Sequence, residues 1–70
     1  MTENLMDGIL NEIERVSGIV SEYQQPYLKG AGVFAAALMK IDIDQAKKAI
    51  SDGDVIAMLN SYKKLKEYEL

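Results

Sequence analysis

The chain has 70 residues, contains neither cysteine nor histidine, and carries a formal net charge of −3. This composition excludes disulfides and the usual zinc sites, and an acidic chain lacks the broad basic face of a nucleic-acid binder. We therefore expect one helical domain over residues 1–70 and no nucleic-acid partner. A core of this size barely offsets the entropy of ordering the chain, so self-association is the expected further source of stability.

Membrane insertion and export are not expected. The longest uncharged apolar run, Gly30 to Met39, is far shorter than the roughly 20 residues that a bilayer requires. The first residues are acidic and lack the basic start and apolar block of an export signal. The sequence thus predicts a cytoplasmic protein without a membrane partner.

A first helix is predicted over about residues 3–24, because apolar residues recur there every three or four positions. Thr2 is the expected N-cap, and Pro26 is expected to end the helix because its ring removes a donor and disfavours helical geometry at Gln25. The apolar stripe consists of Leu5, Ile9, Ile13, Val16, Val20 and Tyr23, widened by Met6, Leu10 and Ile19.

A second helix is predicted over about residues 31–52. Its apolar side chains spread over more than half of the circumference, so the helix should have neighbours on two sides. These residues are Phe34, Leu38, Met39, Ile41, Ile43, Ala46 and Ile50. Residues 42–45 also match a capping box that begins with Asp42, so a break near Ile41 is an open alternative.

The sequence SDGD at residues 51–54 indicates the end of one helix and the start of the next. Gly53 suits the left-handed position after a helix, and Asp54 suits the N-cap of a third helix over about residues 54–68. Tyr68, near its end, is expected to be exposed or at an interface. The expected inner stripe is Val55, Met58, Leu59, Tyr62 and either Leu65 or Lys66.

Together these elements predict an all-α fold. The two forms that the pattern allows are a three-helix antiparallel bundle and a helical hairpin with a third helix, in either case completed by homo-oligomerisation. Methionines at apolar stripe positions, Met39 and Met58, are expected to fill the core or an interface.

The sequence contains few of the residue combinations that catalysis requires. Carboxylates spaced two apart, as at Asp42 and Asp44, diverge by about 200° on a helix and cannot converge on a substrate. Asp52 and Asp54 lack the further acidic ligands of a calcium loop. The serines are expected on polar faces or beside a cap: Ser17, Ser21, Ser51 and Ser61. We predict no enzymatic activity, no catalytic residues, no metal and no cofactor.

Small residues crowd the stretch from residue 27 to residue 39, and close helix packing is the favoured explanation. Alanines at 35, 36 and 37 would let neighbouring helices approach on more than one side, one of them from a second copy. The predicted interface comprises Ala31, Gly32, Ala35, Ala36, Leu38, Met39 and Ile43.

An anion site is the alternative explanation of the same stretch. Glycines just before a helix N-terminus let an anion approach free N–H groups, Lys29 would add charge, and the two nearby tyrosines could stack on a base. The predicted ligand residues are Tyr23, Tyr27, Lys29, Gly30 and Gly32.

The leading functional prediction is a small non-enzymatic helical protein that forms a homodimer or larger homo-oligomer and acts by binding a macromolecular partner, most plausibly a protein. Small acidic helical proteins of this kind are frequent among accessory and inhibitor proteins of bacteriophages and mobile elements. The alternative is a homo-oligomer that sequesters an anionic, nucleotide-like small molecule at the start of the second helix.

Overall fold

The computed structural model describes residues 4–25, 30 and 32–69, which form three helices. They are α1 (Leu5–Tyr23), α2 (Val33–Asp52) and α3 (Val55–Lys66), and each helix packs against the other two. The all-α, three-helix prediction is confirmed. The alternative of a break near Ile41 is wrong, because α2 continues without interruption through that residue.

An asparagine cap begins α1. The Asn4 side chain accepts a hydrogen bond from the backbone N–H of Asp7 at 2.8 Å, which satisfies one of the donors left free in the first turn. The helix therefore begins about two residues later than expected from a cap at Thr2. Thr2 and Pro26 both lie outside the described residues.

The turn between α2 and α3 has the predicted form. Gly53 adopts a left-handed conformation with φ of 67°, and the N–H groups of Gly53 and Asp54 donate to carbonyls of the last turn of α2. The Asp54 side chain then accepts from the backbone N–H of Ala57 at 3.1 Å and caps α3. One four-residue motif thus ends one helix and starts the next.

The helices run alternately up, down and up. At one end of the α1–α2 pair Tyr23 lies against Gly32, and further along Ser17 of α1 lines the same groove as Lys40 of α2, so these two helices are antiparallel. The short connection through Gly53 reverses the chain again. As a result α1 and α3 are parallel, and α2 is antiparallel to both.

The buried core follows the predicted stripe of α1 most closely. On α2 the buried residues include three alanines, Ala36, Ala46 and Ala49, whose small side chains let the two neighbouring helices approach closely. The buried hydrophobic residues are Ile9, Ile13, Val16, Ile19, Val20, Ala36, Met39, Ile43, Ala46, Ala49, Met58 and Leu65. Met39 and Met58, which were expected to fill the core or an interface, both lie in the core.

The inner stripe predicted for α3 is partly wrong. Val55 and Leu59 are exposed, whereas Ser61 is buried together with Met58 and Leu65. The helix is rotated relative to the expectation because a small serine permits close approach of a neighbouring helix, which a pattern based on large apolar residues overlooks. The rotation leaves apolar side chains on the surface near the start of α3.

Two glycines at contrasting positions test the packing between α1 and α2. A Cβ at Gly32 would lie 3.0 Å from the Tyr23 Cβ and 3.1 Å from its carbonyl carbon, whereas a Cβ at Gly18 would meet nothing within 4 Å. We expect Gly32→Ala to lower the free energy of unfolding by about 1 to 3 kcal/mol through this clash. Gly18→Ala should raise it by up to about 1 kcal/mol, because alanine favours the helix interior.

Urea unfolding of both variants, followed by circular dichroism at one protein concentration, measures the two changes. Equal effects of the two substitutions would contradict the close approach of α1 and α2 at Gly32.

Candidate interaction surface

One side of α2 faces away from α1 and α3. Its positions are spaced by three and four residues, and all of them are exposed: Phe34, Leu38, Ile41, Gln45, Lys48 and Asp52. These side chains are apolar up to Ile41 and polar from Gln45 onward. The hydroxyl of Tyr68, two residues beyond α3, donates to Asp42 Oδ2 at 2.5 Å, which places the end of α3 beside the middle of α2.

The first half of this exposed side is strongly apolar. Phe34 is 83% exposed, Leu38 54% and Ile41 52%, and their spacing of four and three residues aligns them in one stripe. Exposed neighbours Val33 and Ala37 widen it. We call Val33, Phe34, Ala37, Leu38 and Ile41 the outer face of α2. Single exposed apolar residues are ordinary, whereas a contiguous apolar stripe on one helix is a candidate interaction surface.

The residues predicted as an interface from the sequence divide between the interior and the surface. Ala36, Met39 and Ile43 belong to the buried core, Gly32 is buried, and Ala35 is half-buried against that core. Leu38 alone of the described members lies on the outer face, and Ala31 lies outside the described residues. Within the described part of the chain, the run of small residues thus packs α2 against its own neighbours.

The sequence pattern did not separate the large exposed residues of the outer face from the core residues of α2. The spacing of Phe34, Leu38 and Ile41 was visible as part of a wide apolar arc. The same stripe continues in Gln45, Lys48 and Asp52, which are polar and exposed. This polar continuation was the signal that could have identified the stripe as the outward side of α2.

The predicted anion site is only partly described. Gly30 has φ of 83°, and Gly32 is the N-cap of α2 without a side-chain hydrogen bond. The first turn of α2 carries no acidic residue, so its N–H groups retain their attraction for negative charge. Tyr23 is half-buried against the core and touches Gly32, while Tyr27 and Lys29 lie outside the described residues.

A groove of about 240 Å³ lies between α1 and α2. The groove is lined by two lysines, Lys40 and Lys47. Asp44 lies between them in the sequence and lines the same groove, so its negative charge partly neutralises theirs. Its lining residues are Ser17, Val20, Lys40, Ile43, Asp44 and Lys47. In the described part of the chain, no three acidic side chains converge to hold a metal ion.

Arg15 and Tyr68 hold the end of α3 against the other two helices. The Arg15 guanidinium donates to the carbonyls of Tyr68 at 2.7 Å and Leu65 at 2.8 Å, and it pairs with Glu12 at 2.9 Å. It therefore links α1 to the backbone at the end of α3, where the Leu65 carbonyl also accepts from the N–H of Tyr68. Tyr68, expected to be exposed or at an interface, is half-buried against the core because its hydroxyl binds Asp42.

None of the helices in the described residues is both long enough and apolar enough to span a bilayer. No protein-family model, curated protein or solved structure matches the chain.

The contact between Tyr68 and Asp42 predicts an alkaline loss of stability. Burial, followed by the hydrogen bond to Asp42, raises the pKa of Tyr68 from 10.0 to about 12. Because the folded chain holds this proton more tightly than the unfolded chain, the stabilisation is present below pH 10 and is lost as the pH rises towards 12. Tyr68→Phe should flatten that part of the profile and, at neutral pH, lower the free energy of unfolding by about 1 kcal/mol.

Urea unfolding at a series of pH values from 7 to 12 tests this expectation. Tyr62→Phe is the matched control, because it removes a hydroxyl from α3 and leaves the bond to Asp42 in place. A profile for Tyr68→Phe that coincides with that of the unsubstituted chain above pH 10 would contradict the assignment.

Proposed function

We propose that this chain is a small non-enzymatic interaction protein that self-associates through the outer face of α2 and acts by binding a macromolecular partner. The observation that carries the proposal is the uncovered stripe of Phe34, Leu38 and Ile41. The stripe lies on a regular helix whose opposite side is anchored in the core by Met39 and Ile43. A partner would therefore meet a surface that is already shaped before binding, which lowers the entropy lost on association.

The size of the outer face fits a modest, reversible association. Complete burial of these side chains in two copies would remove on the order of 1,000 Å² from water, which is below the roughly 1,200 to 2,000 Å² of stable specific interfaces and in the range of weak ones. At about 25 cal/mol per Å², this burial would contribute on the order of 20 kcal/mol before the losses of motion and of side-chain freedom are subtracted. A dissociation constant in the micromolar range is the expectation.

A second apolar surface remains available to a macromolecular partner. Val55, Ile56 and Leu59 are exposed near the start of α3, and Ile56 is 74% exposed. The start of α3 adjoins the C-terminal end of α2, whereas the outer face begins at the other end, so the two surfaces are separated along the molecule. We propose that the second surface binds a protein target, in the manner of small inhibitor or accessory proteins of bacteriophages and mobile elements.

A homo-oligomeric binder of a nucleotide-like anion is the second candidate. The observation that favours it is the start of α2, where Gly32 provides no side-chain cap and the first turn has no acidic residue. In this proposal the Lys29 side chain would supply the positive charge that recognises a phosphate.

The self-association proposal predicts a selective effect of Leu38→Ser. A dimer would lose two buried leucine side chains, so we expect its dissociation constant to rise at least about tenfold, equivalent to roughly 1.4 kcal/mol. The stability of the single chain should change by less than about 0.5 kcal/mol, because Leu38 is exposed there. Sedimentation velocity between about 1 and 500 µM measures the dissociation constant.

Ile56→Ser is the matched control, since it removes an even more exposed apolar side chain from α3. The control should leave the dissociation constant unchanged. Dissociation caused by Ile56→Ser and not by Leu38→Ser would contradict the assignment of the outer face, and a monomer at every concentration would contradict self-association.

The anion-binding candidate predicts that Lys29→Ala weakens binding of a nucleotide while the oligomer stays intact. We expect at least a tenfold loss of affinity for ATP as the probe, measured by isothermal titration calorimetry, and no loss with the control Lys64→Ala. Native mass spectrometry of protein purified from its host cell would show both the number of copies and any retained small molecule. Failure of the unsubstituted chain to bind ATP, together with the absence of a retained anion, would contradict this candidate.

A further inference from the structure

The outer face of α2 has a size pattern that fits a second copy of itself in the antiparallel direction. Resting on the proposed self-association, we propose that two chains pair α2 with α2 about a two-fold axis that passes between Ala37 and Leu38. In this arrangement Phe34 of one copy faces Ile41 of the other, and Ala37 faces Leu38. Each large side chain of the stripe then has an apolar partner.

The order of side-chain sizes along the face favours this direction. Phe34 lies near one end of the face, next to Val33, and Ile41 lies at the other end. Ala37 lies near the centre, where a small residue lets the two helix axes approach closely. A parallel pair would instead place Phe34 on Phe34 and leave Ala37 opposite Ala37. It would also align the two helix dipoles, whereas antiparallel helices place opposite partial charges side by side.

The charges around the face are also complementary in the antiparallel pair. Counting from the proposed axis, Asp42 of one copy lies opposite Val33 of the other, which is the first residue of that copy's α2. Because Tyr68 holds the end of α3 at Asp42, the acidic residues Glu67 and Glu69 come near the start of the other copy's α2. That helix start has no side-chain cap and no acidic residue in its first turn, so nearby negative charge is favourable there.

The absence of cysteine from the sequence makes disulfide trapping a direct test. We expect an equimolar mixture of Phe34→Cys and Ile41→Cys chains to form a heterodisulfide efficiently under mild oxidation. Either variant alone should cross-link at least fivefold less, because its two sulfurs are separated by about seven residues, or roughly 10 Å, along the paired helices. Disulfides require Cα atoms within about 7 Å.

Ile56→Cys is the control for random collision, since its side chain is equally accessible and lies outside the face. Mass spectrometry of the oxidised mixture identifies the product, and sedimentation velocity of the reduced variants is measured in parallel. A heterodisulfide that exceeds both homodisulfides and the control supports the antiparallel pair.

Two results would overturn the antiparallel pair while leaving self-association intact: predominant homodisulfides in a dimeric sample, or no cross-link above the control in a dimeric sample. If sedimentation shows that the unsubstituted chain is monomeric at every concentration, the proposed function is overturned together with this pairing. The cross-linking and sedimentation measurements therefore separate failure of the geometry from failure of the association.

Discussion

The junction formed by Tyr68, Asp42 and Arg15 ties the end of α3 to both other helices. Tyr68 donates to Asp42 in the middle of α2, and Arg15 of α1 binds the carbonyls of Leu65 and Tyr68. The outward side of α2 is exposed both before and after this level, and it changes from apolar to polar between Ile41 and Gln45. The change in side-chain chemistry therefore sets the end of the outer face.

Local signals were sufficient to predict the existence of the three helices and the turn between the second and third. The α1 stripe repeats over five turns, and the buried residues Ile9, Val16 and Val20 are the ones that its spacing indicates. Gly53 and Asp54 act through their own backbone and side-chain geometry, so their roles follow from residue type. The first residue of α1 was predicted less accurately, because Thr and Asn are both favourable N-caps. The helix uses Asn4 as its N-cap.

The face that each helix turns inward could not be derived with the same success. On α2, apolar residues cover so wide an arc that Leu38 and Met39 were equally good core candidates, yet only Met39 is buried. On α3, burial of Ser61 in place of Leu59 reverses the order expected from hydrophobicity. These outcomes depend on long-range contacts such as that between Arg15 and Leu65, which are 50 residues apart and leave no periodic trace in the sequence.

In the proposed self-association, the outer face links folding to concentration. Any molecule that occupies Phe34 and Leu38 in the folded chain, and not in the unfolded chain, shifts the folding equilibrium by mass action. For a domain whose own core is small, this contribution would form a large share of the total stability. The cellular abundance of the folded form would then rise more steeply than the rate of synthesis, because each additional copy protects those already present from unfolding and proteolysis.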